Sequence, residues 1–347
     1  MLMIRSLFFA PANRPDLVMK FPRFGADVQV IDLEDGTPPA HKTAAREGLD
    51  ALVRALRAQA SPGLLAVRVN APDADDYLDD LAVALRCDID AIVIPKLERV
   101  EQLFPLAHHL RRLERDAPRA AALFIIGGLE SIAGVANAAA LCRAHPAMAA
   151  VYFGAEDLAS ELGARRTKAS TEVLYARSQV LLHAKAAGLL AIDQAVVEVR
   201  DDAHFAADAE SGRNLGYDGK ICLLPRQLEV AHRIFRPSPD ELDHARRLIA
   251  GYEAAMARGL GTLDFEGRMV DGPLLKRAQR LVALGECAEA AARPPRGPVQ
   301  GGPAPDRSAP GGPAGAQAAP GEPGSGSFSV VPAPDQAEAR VPQGARP

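Results

Sequence analysis

The sequence predicts an α/β chain folded as a TIM-type (β/α)8 barrel, and three observations carry that expectation. Eight apolar runs of strand length recur between Ser6 and Leu224. The runs are continuously apolar rather than alternating, the mark of strands covered on both faces, as parallel strands are. Helical sequence separates each run from the next, and eight such units in ~225 residues suit a barrel whose usual length is ~250. The competing fold, a doubly wound open sheet, carries a glycine-rich phosphate loop after its first strand. Here the first run leads into PANRP, and no Walker motif occurs.

In chain order, Ser6–Ala10 is the first strand and ends at Pro11, with Asn13 and Arg14 just beyond. A helix over Asp16–Phe24 stops at Gly25, a residue suited to a left-handed helix end. Val28–Leu33 is the second strand and runs into Glu34-Asp35-Gly36, before helical sequence at 40–60. Leu64–Val69 carries Arg68 and ends at Asn70; a helix follows over Tyr77–Leu85. Ala91–Ile94 ends at Pro95-Lys96, and the next helix reaches Arg115 with a break at Pro105. Leu123–Ile126 and Val151–Phe153 are the fifth and sixth strands. They are joined by an alanine-rich helix from Ser131 to Arg143, with Ser131 or a neighbour as its cap. Helical sequence at 171–187 precedes a seventh strand, Leu189–Ile192, which ends at Asp193-Gln194. A helix at 201–214 leads to the eighth strand, Lys220–Leu224, then Pro225 and a short helix over Gln227–Arg233.

Past the barrel, residues 1–236, comes a helical extension over 237–292. It has a Ser-Pro-x-Asp/Glu helix start at Ser238, a loop over Asp264–Asp271 and a helix over Pro273–Leu284. In residues 293–347, 13 of 55 positions are proline and 10 are glycine. Such a segment cannot bury enough apolar surface to pack a core, so a disordered tail is expected.

A net charge of −4 gives no reason to expect nucleic acid or an anionic membrane surface as partner. The four cysteines, Cys87, Cys142, Cys222 and Cys287, are scattered without a C-x-x-C spacing, so neither a zinc site nor a disulfide framework is predicted. The first fifteen residues are too interrupted for a signal peptide, and no apolar run reaches the ~18–20 residues of a membrane span. A cytoplasmic protein is expected.

Function in such barrels sits at the carboxyl ends of the strands. The polar residues there are Asn13, Arg14, Glu34, Asp35, Arg68, Asn70, Lys96, Glu130, Glu156, Asp157 and Asp193. The stretch 123–158 concentrates the pattern: LFIIGGLES and AVYFGAEDL each bring an apolar run to glycine and then to an acid. If those strands are parallel neighbours, Glu130 and Asp157 emerge side by side. Two converging carboxylates need a counter-charge, and a hard divalent cation is the usual one. The plainer reading has Asp157 capping the following helix and Glu130 solvated. Arg68 likewise reads either as a ligand group or as an ion-pair partner of Glu34 or Asp35.

RSLFFAPANRPDL, VIDLEDGTPPAHKTAAR, VRVN, IVIPKLE, GLES, VYFGAEDL, YARSQVLLHAKAAG, GYDGK and FEGRMVDGPLL, in that order, resemble the HpcH/HpaI aldolase and citrate lyase beta subunit family from Arg5 to about Leu284. The resemblance implies a barrel of the phosphoenolpyruvate/pyruvate-binding type that uses Mg²⁺, or Mn²⁺, to cleave or form a carbon–carbon bond beside a thioester carbonyl. The substrate would be a 3-hydroxyacyl-CoA or a citryl thioester, on CoA or an acyl carrier. The products would be an acyl thioester and a 2-oxo acid. A CoA thioesterase, a malate-synthase-like activity and a non-catalytic interaction subunit are the alternatives.

By the same resemblance, Glu130 and Asp157 hold the metal and Arg68 binds substrate and acts in catalysis. Asp271, on a glycine-flanked flap, serves as general acid/base; its plainer reading is a cap for the Pro273 helix. Glu130 and Asp35 also touch substrate, while Asn13, Arg14 and Lys42 meet the CoA phosphates. The flap of relatives reaches a neighbouring subunit, so a homotrimer or hexamer is expected. The sequence departs from the family pattern in four places. Glu130 lies in Gly-Leu-Glu-Ser rather than Ile-Glu-Thr, and Gly36-Thr37 replaces Ala-Val. Leu223-Leu224-Pro225 replaces Ile-His-Pro, and Gln194 stands where glycine is common.

Overall fold

The eight apolar runs form eight parallel strands that pair in sequence order and close on themselves. The computed structural model describes residues 2–59, 63–116 and 123–292. The strands are β1 (Ser6–Pro11), β2 (Val28–Asp32), β3 (Leu64–Arg68), β4 (Ala91–Ile94), β5 (Phe124–Leu129), β6 (Met148–Phe153), β7 (Leu190–Asp193) and β8 (Gly219–Cys222). The barrel closes where β1 pairs with β8, Leu7 opposite Ile221. Closure leaves no exposed sheet edge.

Alternation along each strand divides the core in two. On one parity Leu7, Val28, Val30, Ala66, Ala91, Val93, Ile126, Ala150, Tyr152, Ile192 and Ile221 fill the barrel interior. On the other, Ile31, Leu65, Val67, Ile92, Ile125 and Val151 meet the surrounding helices in the larger cluster. Small alanines opposite larger aliphatic residues let the interior layers fill without a pore.

The helices follow the predicted order, with differences that have local causes. The expected helix over Asp16–Phe24 is two single turns, α1 (Pro15–Val18) and α2 (Phe21–Phe24). Pro22 lacks the N–H that would continue the ladder across the join. Gly25 ends α2 at φ 65°, as its lack of a Cβ allows. Next come α3 (Pro39–Arg57) and α4 (Tyr77–Ala84). The break expected at Pro105 falls earlier. A 3₁₀ turn at Val100–Leu103 gives way to α5 (Phe104–Asp116), with Pro105 in its first turn where no donor is needed.

The alanine-rich linker is α6 (Ile132–Ala136) and α7 (Ala138–Leu141), split at Asn137, whose amide donates to the Glu98 carbonyl at 2.8 Å. Two helices, α8 (Ala155–Leu162) and α9 (Leu174–Ala186), stand between β6 and β7. α10 (Asp202–Leu215) and α11 (Pro225–Ile234) complete the ring.

The extension begins with α12 (Pro239–Ala257), where Ser238 and Glu241 form a reciprocal cap of 3.1 and 2.7 Å. The expected loop over 264–271 is instead a hairpin, β9 (Leu263–Phe265) and β10 (Arg268–Val270), turning through Glu266 and Gly267 at positive φ. α13 (Gly272–Ala292) follows and is longer than the sequence implied. Ala245, Leu248, Tyr252, Val270 and Ala278 form the extension's own small core. The expected tail, 293–347, lies outside the described residues. Among the described residues no helix is long and apolar enough to cross a membrane, and all four cysteines are free thiols.

Candidate active site

The inward parity that fills the barrel also delivers its chemistry. Asp32 and Arg68 are register partners on β2 and β3, two residues beyond Val30 and Ala66, so both point into the barrel mouth. The Arg68 fork is closed on Asp32, Nε to Oδ1 and Nη2 to Oδ2 both at 2.7 Å. Nη1 lies 2.9 Å from Glu34 Oε2, and the guanidinium carbon stands 4.8 Å over the Phe9 ring. Burial works against the Arg68 charge, but Asp32 and Glu34 outweigh it and hold its pKa well above the ordinary value.

Lys96 ties this half of the site to the other. Its ammonium donates to Glu34 Oε1 at 2.7 Å and to Asp35 Oδ2 at 3.3 Å. Its backbone N–H donates to Glu130 Oε1 at 2.7 Å, from a residue held at φ 50°. Burial raises the Glu34 pKa despite Arg68 and Lys96. Glu34 in turn raises that of Lys96, against the effect of burial.

Glu130 follows β5 and is 4% exposed. Its Oε1 takes a second hydrogen bond, from Tyr152 Oη at 2.9 Å. No hydrogen bond reaches Oε2 among the described residues. Two glycines make the room: a Cβ on Gly154 would lie 2.3 Å from Glu130 Cβ, and one on Gly128 would lie 2.4 Å from Tyr152 Oη. Burial pushes the Glu130 carboxyl up to about 7; Arg68 opposes that, while Glu34 and Asp157 add to it. Asp157 stands in the first turn of α8, after β6, and is exposed. Leu129 pairs with Phe153, so the two carboxylates leave adjacent parallel strands at the carboxyl end.

Among the described residues no group of three or more His, Cys, Asp or Glu could hold a metal ion. Two carboxylates, one of them buried with a free oxygen and crowded by like charge, fit a hard cation that keeps waters and takes ligand oxygens.

The other predicted residues divide. Asn13 is at the β1 rim, with a buried Oδ1 that has no partner among the described residues. Arg14 is exposed and closed on Asp16, both contacts at 2.8 Å. Lys42 donates to Asn70 Oδ1, and Asn70 is itself fixed by Asp80 and the Leu33 carbonyl. Glu156 is paired with Arg166 at 2.9 Å.

Asp193, expected at the rim, has the opposite parity to the interior residue Ile192. It is fully buried against the helices, paired with Arg177 in a cluster that includes Asp208 and Lys220. Gln194 donates into the same cluster, 2.9 Å from Asp208. Asp271 stands between β10 and α13, and its contacts are local. Its Oδ1 accepts from Leu274 N at 3.5 Å and its carbonyl from Leu275 N at 3.0 Å, the contacts of a cap on α13.

Asp32, Tyr152, Phe9 and the Lys96 backbone escaped the sequence reading. Counting by two from the apolar interior positions would have found the first three. The Lys96 role rests on a backbone conformation, which no residue pattern announces.

A model of the HpcH/HpaI aldolase/citrate lyase family matches residues 5–225. A citrate lyase subunit beta-like protein of Deinococcus radiodurans is 44% identical over 81% of this chain and 97% of its own length. The mitochondrial citramalyl-CoA lyase of Homo sapiens is 31% identical over 81% of this chain and 85% of its own. A CitE structure from Mycobacterium tuberculosis, in complex with magnesium, acetoacetate and coenzyme A, superposes with a TM-score of 0.67 at 30% identity. It covers 82% of this chain and 98% of that one. With the same barrel and a family match over nearly all of it, this chain is a lyase and belongs to the HpcH/HpaI aldolase/citrate lyase family.

Proposed function

We propose that this enzyme cleaves the carbon–carbon bond of a 3-hydroxyacyl-CoA or citryl thioester, or runs the reverse, in the cytoplasm and with Mg²⁺ or Mn²⁺. The products are an acyl thioester and a 2-oxo acid. The observation that carries the reading is the pairing of a pre-oriented Arg68 with a buried Glu130 across one barrel mouth, bridged by Lys96. The magnesium, acetoacetate and coenzyme A of the CitE complex support it.

Glu130 and Asp157 would hold the cation, which supplies Lewis-acid polarisation of the oxo-acid carbonyl. The chain's own residues do the rest. In cleavage the 3-hydroxyl proton leaves to a base and the Cα–Cβ bond breaks. Its electron pair passes to the thioester as an enolate, which then takes a proton at its α-carbon. Arg68, kept charged and immobile by Asp32 and Glu34, stabilises the enolate oxygen without reorganising. Asp271 moves the proton, and it does so in a neighbouring subunit. That assignment is supported by the capping contacts that occupy Asp271 within its own chain and by the 70% exposure of Met269 on the same hairpin. Asn13, with its unpartnered Oδ1, Arg14, Asp35 and Lys42 form the outer wall toward the CoA arm.

The test is purified protein with Mg²⁺ and malyl-, citramalyl-, methylmalyl- or citryl-CoA, with oxo acid and free CoA measured together. Oxo acid with acyl-CoA and no free CoA is the expected result. Free CoA without oxo acid would replace cleavage by thioester hydrolysis. No turnover of any of them would place the substrate outside this set of thioesters.

A further inference from the structure

A second charged concavity lies at the opposite end of the barrel. Arg5 precedes β1, and α11 runs from the carboxyl end of β8 back toward the strands' amino ends, so the link to α12 sits there. A cleft of about 590 Å³ opens at this link, within the ~300–1,000 Å³ range of small-molecule sites. Arg5, His232, Arg233, Arg236 and Arg246 line it, with Leu242 as an apolar wall and no carboxylate.

These cations are not equivalent. Arg5 is closed on Asp27 through Nε and Nη2, at 2.8 and 2.7 Å. His232 meets Ser6 Oγ at 2.8 Å, and burial lowers its pKa, with Arg5 adding to that and Asp27 opposing it. Arg233, Arg236 and Arg246 are exposed and make no ion pair or hydrogen bond among the described residues. Of the α12 carboxylates, Asp240 and Glu253 do not line the cleft, and Glu241 and Asp243 are engaged elsewhere. Glu241 takes Arg213 at 2.8 Å, and Asp243 takes Arg247 at 3.0 Å. Three guanidinium groups therefore share one concavity without a counter-charge, in a chain whose net charge is −4.

Guanidinium forks match phosphoryl oxygens two at a time, where an ammonium offers only a point charge. A diphosphate carries about three negative charges over its two phosphates near neutral pH, enough to answer three unpaired arginines. A single concave pocket, rather than a basic stripe along the surface, suits a small anion better than a polymer. We propose that this cleft binds a pyrophosphoryl group, carried by free pyrophosphate or by a nucleoside diphosphate, at a site separate from the catalytic rim.

The experiment is calorimetric titration of the full chain with pyrophosphate and with ADP, without divalent cation. Three proteins are compared: the wild type, Arg233→Gln/Arg236→Gln/Arg246→Gln, and the charge-matched control Arg23→Gln/Arg86→Gln/Arg112→Gln. The single Arg236→Gln variant covers any folding defect in the triple variant. The expected result is saturable one-to-one binding by the wild type and the control, weakened about tenfold or more in the cleft triple variant and less in the single variant. Tighter binding of ADP names the nucleotide as the source, and equal or tighter binding of pyrophosphate names the free anion. Absence of saturable binding to the wild type overturns the proposal, as does equal affinity in cleft and control variants.

Discussion

Arg68 is held on three sides before any substrate arrives: by Asp32 through both fork nitrogens, by Glu34, and by the Phe9 ring. The plainer expectation, an ion pair with Glu34 or Asp35, was half of the arrangement; the main partner is Asp32. Such clamping leaves the remaining N–H groups aimed and rigid, which is what a site for developing charge requires. Lysine at this position keeps the charge and loses the fork. Arg68→Lys should lower kcat/KM tenfold or more, about 1.4 kcal/mol of transition-state stabilisation. An unchanged kcat/KM would make Arg68 a structural residue. Glu130 and Asp157 carry a separate expectation. The Glu130→Ala/Asp157→Ala variant should stay folded by circular dichroism and show no Mg²⁺ binding by calorimetry. A normal binding isotherm in that variant would move the metal elsewhere.

The β5-to-α8 stretch shows how elements make room for such residues. Glu130 fits against the start of α8 only because residue 154 has no Cβ. Gly154→Ala puts a methyl group 2.3 Å from Glu130 Cβ and 2.4 Å from Oε2, so the carboxylate must move. The backbone there, at φ −99° and ψ 98°, accepts alanine without strain, so the loss should fall on function. Activity should drop by about an order of magnitude or more, since misplacement of roughly 1 Å is costly in a preorganised site. Gly163→Ala is the contrast. It sits at φ 65° with nothing within 4 Å of the added methyl, so it should cost roughly 1 kcal/mol of stability and leave kcat unchanged. Equal kinetic effects of the two substitutions would remove the packing argument. The strands were legible because continuous apolar runs are distinctive. The splits at Asn137 and before Phe21 were not, because they depend on how each turn meets its neighbours.

For the whole molecule, the open question is where Asp271 works. Within one chain it caps α13, and asparagine caps a helix as well as aspartate does. Asp271→Asn should therefore leave the melting temperature near normal while kcat falls to a few per cent or less. Normal kcat would return Asp271 to capping alone. Mixing Asp271→Asn subunits with Glu130→Gln subunits then tests the expected trimer or hexamer. If the flap serves a neighbour, some mixed oligomers contain one intact site, and activity reappears on mixing. Well-mixed oligomers that stay inactive would assign the flap to its own chain.

The sequence alone determined the barrel, the order of its strands, the polar rim at their carboxyl ends and the family that Arg68, Glu130, Asp157 and the flap motif resemble. Those properties are local or periodic: apolar runs, caps and short motifs are written in adjacent residues. Only the tertiary structure decided which rim residues face each other. Closure of the sheet sets a common inward parity, and that parity sends Asp32 and Tyr152 to the mouth and Asp193 out to the helices. It also brought the Lys96 backbone against Glu130, 34 residues away, and three unpaired arginines around one cleft at the far end. Partners across a barrel are chosen by register and distance in space, and neither is a property of any stretch of chain read by itself.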